Sequence, residues 1–195
     1  MKLILASGSP RRMDFLTAAG YDFTVYTLPV DETVSSDIHP REAVRLLAER
    51  KGRAVVAALG DSEPVLSADT LVELDGVPLG KPRDPADAAR MLRALSGRTH
   101  AVHTGVAVHY GWRCLSETDT TLVRFRSLSE EEITAYVESG EPMDKAGAYG
   151  IQGRGSALVE SYRGELDTVI GLSMRTVRSL FASCGLAELL SRRDT

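Results

Sequence analysis

The 195-residue chain has 27 acidic and 23 basic residues, a net charge of −4, which gives no general electrostatic footing for binding nucleic-acid polymers. Hydrophobic residues at 43% and charged residues at 26% fit an ordinary globular protein, and the length suits one domain or two small lobes sharing a core. No apolar run approaches the roughly 20 residues of a spanning helix, and the N-terminus reads as a strand rather than a signal peptide, so no membrane partner and a cytoplasmic location are expected.

Strand-like and helix-like segments alternate, which predicts an α/β architecture. The apolar start Leu3-Ile4-Leu5 runs into Ala6-Ser7-Gly8-Ser9-Pro10-Arg11-Arg12, then into a helix carrying Met13, Phe15, Leu16 and Ala19 and closed by Gly20. Asp22 to Asp37 is mixed and polar, with Pro29, Asp31 and Glu32 in a loop. A long helix starts at Pro40 and ends near Gly60. Pro64 to Leu74 reads as a strand, Asp75-Gly76 as a hairpin turn and Val77 to Leu79 as its return. Asp84-Pro85 caps a helix with Ala88, Met91, Leu92 and Leu95, stopped by Gly97. Thr99–Tyr110 and Cys114–Phe125 form a second hairpin across Gly111-Trp112, and Ser129 with Glu132 makes a capping box for a helix ending at Gly140. A glycine-rich loop over Glu141–Gly155, a strand over Ala157–Tyr162 and an amphipathic helix with Leu172, Val177, Leu180, Phe181 and Cys184 follow, and the tail from Ser191 reads as frayed.

Several residues stand where this pattern calls for something else. A strand entering Gly8-Ser9-Pro10 aims backbone N–H groups at one point, and a helix N-terminus with Arg11 and Arg12 adds positive charge there. That describes a phosphate cradle, or else a tight turn with two solvated arginines. Lys51 interrupts the apolar stripe Val44, Leu47, Ala54, Val55 and Ala58; it either snorkels to water or aims its ammonium into an interior cleft. Asp69 is the one acid in Val65-Leu66-Ser67-Ala68-Asp69-Thr70-Leu71-Val72, and a carboxylate there needs a cation, a metal or water. It is a structural ion pair or a site carboxylate.

Gly76-x-x-x-Gly80-Lys81-Pro82 lacks one residue of a Walker A loop and has Pro82 where that loop has Ser or Thr, which excludes a P-loop reading. Lys81 is an exposed loop lysine or a phosphate ligand. Asp144 to Gly155 has glycines at 147, 150, 153 and 155 around Gln152. Such a loop is merely mobile, or it admits a ligand closely, with the Gln152 amide suited to a nucleobase edge. Cys114 and Cys184 have no metal-ligand or redox spacing and are expected to be buried thiols. Strand alternation sets His100 and His103 on opposite faces, which does not favour joint chelation.

Leu5-Ala-Ser-Gly-Ser-Pro-Arg-Arg12, Ser67-Ala-Asp-Thr70, Gly80-Lys-Pro82 and Asp144-Lys-Ala-Gly-Ala-Tyr-Gly-Ile-Gln-Gly-Arg-Gly155, in this order and spacing, closely resemble the Maf family of nucleotide pyrophosphatases. The resemblance runs from Leu5 to the last helix and implies a single domain over residues 1–195. It implies an elongated, curved mixed β-sheet flanked by helices, two lobes around a deep cleft, as in inosine triphosphate pyrophosphatases. It further implies hydrolysis of a nucleoside triphosphate between the α and β phosphates with a divalent metal, Mg²⁺ or Mn²⁺. Tyr149 and Ile151-Gln152-Gly153 resemble the branch acting on dTTP and UTP, as distinct from the branch acting on 7-methyl-GTP. By the same resemblance Arg11, Thr70 and Gln152 set base specificity, and the assembly is a homodimer. The family pattern usually has Pro where this chain has Ser173, which bears on how the last helix begins.

On this reading Ser7 and the amides after it hold phosphate oxygens, and Arg11, Arg12, Lys51 and Lys81 neutralise the triphosphate. Asp69 serves as general base or metal ligand, with Glu32 as a second metal carboxylate. The competing class is a regulatory protein that inhibits septum formation, the association behind the family name. Such an inhibitor needs a partner surface rather than one acid beside four cations.

Overall fold

The computed structural model describes residues 1–190, so the tail from Ser191 lies outside the described residues. The strands are β1 (Leu3–Leu5), β2 (Phe23–Val25), β3 (Val65–Leu74), β4 (Val77–Leu79), β5 (Thr99–Tyr110), β6 (Arg113–Phe125) and β7 (Val159–Arg163). The helices are α1 (Pro10–Ala18), α2 (Pro40–Leu59), α3 (Pro85–Leu95), α4 (Glu130–Glu138), α5 (Leu166–Ile170) and α6 (Met174–Ser183), with short 3₁₀ turns between residues 141 and 158 and at 187–190. The strands lie in the order β2-β1-β3-β5-β6-β7, with β4 paired to β3. β1 runs parallel to β2 and β3, whereas β3–β4 and β6–β7 are antiparallel, so the sheet is mixed.

Two corrections to the linear reading concern the polar stretch after α1 and the region before α6. Phe23–Val25 is a strand, because pairing with β1 supplies hydrogen bonds that its half-exposed side chains do not announce. Leu166–Ile170 forms a short helix. The Asp75-Gly76 turn has both residues at positive φ, 53° and 79°, and registers Leu74 against Val77, as a two-residue hairpin requires. The capping box is formed as expected: Ser129 accepts from the Glu132 amide and Glu132 from that of Ser129.

The chain divides into two compact units, residues 1–69, 104–119 and 171 onward in the first and residues 70–103 and 120–170 in the second. In the first unit β1 is buried on both faces. Leu3 and Leu5 join a core with Leu16, Leu66, Val177 and Phe181, and Ile4 and Ala6 join Val55 and Val65. Gly52 lets α2 approach closely: a Cβ there would stand 2.4 Å from His109 Cδ2 and 2.8 Å from Ser67 Oγ. The buried Ser67 hydroxyl in turn donates to the Ala48 carbonyl at 2.7 Å. Gly105 repeats the device under Val44, whose carbonyl oxygen a Cβ would meet at 2.4 Å. Ala58, taken as part of the buried stripe, is exposed because α2 runs past its contacts in its last turn.

Both cysteines are free, but only Cys184 is buried; Cys114, near the β5–β6 turn, is exposed. No described helix is long and apolar enough to cross a membrane.

The second unit packs Leu92, Leu95, Phe125, Ile133, Tyr136 and Tyr149 in one core. His100 lies among them, edge-on to Phe125 and Tyr149, with Nε2 2.8 Å from the Tyr149 hydroxyl. Burial pushes its pKa from 6.5 down to about 4. Between those values the unfolded chain binds the proton and the folded one does not, so stability falls as pH drops through the window. From pH 7 to pH 5 this single group should cost about 2 kcal/mol. Urea unfolding at the two pH values should therefore diverge more for the natural chain than for His100→Phe; equal divergence would contradict a neutral buried ring.

Candidate active site

Ser7 is buried just past the end of β1, and its hydroxyl accepts from the Ser9 amide at 3.3 Å and from Arg12 Nη1 at 2.8 Å. α1 begins at Pro10, which fits a first helical position, and its first turn contains no acid. Arg11 and Arg12 occupy that turn, at the positive end of the helix dipole, where cations are disfavoured unless an anion faces them. Arg12 faces such groups. Burial pushes its guanidinium pKa down and neighbouring Arg11 acts in the same direction, while the charges of Asp69 and Glu32 pull it up. Its Nε donates to the Gly171 carbonyl at 2.8 Å, which fixes the plane of the fork.

Lys51 is the centre of the constellation. Its Nζ donates to Asp69 Oδ1 at 2.5 Å and lies 2.8 Å from Glu32 Oε1. The Lys51 and Asp69 side chains are 19% and 13% exposed, against 62% for Glu32. The ammonium therefore turns inward to an acid on the strand and does not simply snorkel. The close seating of α2 at Gly52 and the Ser67–Ala48 bond set this reach, because both sit within two or three residues of the pair. Glu32 sits on an exposed loop, yet Arg50 ties that loop down by donating to the carbonyls of Asp31 and Thr33 on either side of it.

The first unit thus gathers Ser7, Arg12, Glu32, Lys51 and Asp69 around one locus, with Arg11 next to Arg12 in the chain. Thr70, next to Asp69 on β3, belongs to the second unit and is half-buried. Lys81 and Gln152 are exposed in that same unit. The loops bearing them meet where the Gly147 amide donates to the Gly80 carbonyl at 3.0 Å.

The glycines around Gln152 have a different reason from the one expected. A Cβ would meet Val72 at Gly147 (2.9 Å), Lys145 at Gly150 (2.9 Å), Glu141 at Gly153 (3.1 Å) and the Gly150 carbonyl oxygen at Gly155 (2.1 Å). The segment is tightly folded on itself through short 3₁₀ turns, with Ala148 at a strained φ of 59°, so its glycines admit neighbouring protein.

Linear reading missed the support of Arg12. Ser173 is the N-cap of α6, accepting from the Thr176 amide at 3.3 Å, and its hydroxyl donates to the buried Asp119 at 2.7 Å. Asp119 also accepts from Arg175 at 2.9 Å. Ser173 therefore starts the helix with a hydroxyl cap, two residues after the carbonyl that holds Arg12. Asp119, an acid among the threonines of β6, carried the same signal as Asp69.

Comparison with known proteins shows the family and the fold. The family of Maf-like proteins matches residues 2–184. The chain belongs to the Maf family. Its relatives include proteins named dTTP/UTP pyrophosphatase from Moorella thermoacetica, 50% identical over 95% of this chain and 96% of that one, and from Symbiobacterium thermophilum, 51% identical over 92% of each. One from Neisseria gonorrhoeae is 41% identical over 97% and 96%. The Staphylococcus aureus Ham1 protein shares the fold, with a TM-score of 0.52 at 17% identity over 98% of both chains. The mixed sheet with flanking helices that the motifs implied is therefore the fold of this Maf protein.

Ser173→Ala removes the α6 cap and one donor to a buried carboxylate, and should cost about 1–3 kcal/mol of stability. Urea denaturation checks this, and an unchanged midpoint would show that neither bond matters.

Proposed function

We propose that the chain is a nucleoside triphosphate pyrophosphatase that hydrolyses dTTP and UTP to the monophosphate and pyrophosphate. The observation that carries this reading is the Lys51–Asp69–Glu32 contact beside Arg12, a pair of acids and a pair of cations converging in a chain of net charge −4. A polyanionic substrate requires such local neutralisation, and a hydrolytic step requires a carboxylate within it. Relatives that are half identical along nearly the whole chain and are named for dTTP and UTP support the substrate assignment over 7-methyl-GTP.

Asp69 takes a proton from a water molecule, whose oxygen attacks the α phosphorus; the bond from that phosphorus to the bridging oxygen breaks, and pyrophosphate leaves with the electron pair. Arg12 and Lys51 stabilise charge growing on the phosphate oxygens, with Lys81 as a further cation. Ser7 and the amides that follow it receive phosphate oxygens at the start of α1. Arg11, Thr70 and Gln152 select the base, Gln152 through an amide that both donates and accepts.

Asp69 and Glu32 bring two carboxylate oxygens within 2.8 Å of Lys51 Nζ, and hard oxygen donors of this kind suit a divalent cation such as Mg²⁺. Among the described residues no cluster of three or more His, Cys, Asp or Glu could enclose an ion. Asp69 and Glu32 would therefore hold Mg²⁺ or Mn²⁺ with phosphate oxygens and water completing the shell, as is usual for Mg²⁺ on nucleotides. Such an ion supplies charge neutralisation and a more acidic bound water.

Asp69→Asn should lower turnover by roughly 10²-fold or more, the range for loss of a positioned base. Release of pyrophosphate from dTTP measures it, and near-natural rates would refute the assignment. The same variant, overproduced in dividing cells, separates catalysis from a septum-inhibiting role. Gln152→Ala should reduce discrimination between pyrimidine and purine triphosphates more than it reduces hydrolysis of dTTP; an unaltered ranking across a nucleotide panel would count against base reading by Gln152.

A further inference from the structure

The backbone on both sides of Gln152 is tied to two side chains that neither the chemistry nor the phosphate contacts use. Glu141, just beyond α4, accepts through Oε1 from the Tyr136 hydroxyl at 2.9 Å and the Gly155 amide at 3.1 Å, and through Oε2 from the Arg154 amide at 3.1 Å. The Tyr136 oxygen accepts from the Gly150 amide at 3.2 Å. Residues 150, 154 and 155 are thus bound to one Tyr–Glu pair, and Gln152 stands exposed at the centre of the span they close. Lys145 reinforces the base of the span by donating to the Glu141 carbonyl at 2.7 Å, with its stem close under Gly150.

Charge and packing agree with a clamp. Burial pushes the Glu141 carboxyl up, but the amides of Gly155 and Arg154, the Tyr136 hydroxyl and Lys145 outweigh it, and the group lies below its ordinary value. Burial pushes the Tyr136 phenol up, so it stays protonated to donate. Glycine at 155 is required by the clamp itself, because a Cβ there would stand 2.6 Å from the Tyr136 oxygen.

We propose that Glu141, acting with Tyr136, is a positioning residue for nucleobase selection: it fixes the loop from which Gln152 presents its amide. The proposal rests on the reading that Gln152 meets the base. A loop held at three backbone amides presents Gln152 in one orientation, and a freed loop presents it in many, which weakens the preference for one base pattern without touching the phosphate chemistry.

Glu141→Gln keeps the shape but replaces one acceptor oxygen with a donor, and Tyr136→Phe is the milder variant, removing only the hydroxyl. Each should lower the ratio of kcat/KM for dTTP over dGTP by about fivefold or more, the fold-change for loss of a typical hydrogen bond, mostly through KM for dTTP. Hydrogen–deuterium exchange over residues 150–155 should quicken in both, and adding Gln152→Ala should bring no further loss of discrimination. If Gln152→Ala changes base preference while Glu141→Gln and Tyr136→Phe leave it intact, the clamp is overturned and base reading by Gln152 stands. If Gln152→Ala itself changes nothing, the base reading fails and the specificity role of Glu141 fails with it.

Discussion

An ammonium and a carboxylate held 2.5 Å apart at the end of a buried strand segment are what the rest of the first unit is arranged around. Withdrawing two charges from water costs several kcal/mol per ion, and well-packed apolar residues in their place are often more stabilising. Lys51 and Asp69 therefore make poor sense as a device for stability. They make better sense as a preformed charged locus, which is how the proposed hydrolysis of a polyanionic substrate uses them. The features that seat α2 on the sheet, Gly52 without a side chain and the Ser67 hydroxyl on the Ala48 carbonyl, bring the helix close enough for that contact.

The same logic governs Arg12. Two arginines in the first turn of a helix conflict with its dipole, and burial opposes the guanidinium charge. The fork is held by the Ser7 hydroxyl on one side and the Gly171 carbonyl on the other, with Ser173 and Asp119 anchoring the turn that carries that carbonyl. Local preferences are broken at Arg12, and bonds from distant parts of the chain supply the compensation. In the second unit the compensation takes another form. The segment after α4 has a residue at positive φ without being glycine, Ala148, and is held by the Gly80 carbonyl, Glu141 and Tyr136 rather than by regular structure.

Much of this was legible in the linear order of residues. Helix starts and hairpin turns depend on local chemistry, so Pro40, Asp84, Ser129 and Asp75-Gly76 were readable directly. β2 was not, because three half-exposed residues become a strand only when β1 lies alongside. Asp69 and Lys51 were conspicuous because each violates an apolar pattern, and a violated pattern in a core demands a partner. The glycines between 147 and 155 were conspicuous too, but their reason was misjudged: composition cannot tell a backbone that makes room for a ligand from one that makes room for Val72, Lys145 or Glu141.

By itself, then, the sequence determined the elements, the family motifs and the residue types out of place, since all of these depend on neighbours within a few positions or on a pattern of spacing. Only the tertiary structure decided who answers whom: that Lys51 bridges Asp69 and Glu32, that Gly171 orients Arg12, and that Ser173 caps α6 and binds Asp119. The physical reason is range. Propensity and periodicity act along the chain, whereas the energy of a charge or a hydrogen bond depends on separations of about 3 Å between residues that, in Arg12 and Gly171, are 159 positions apart.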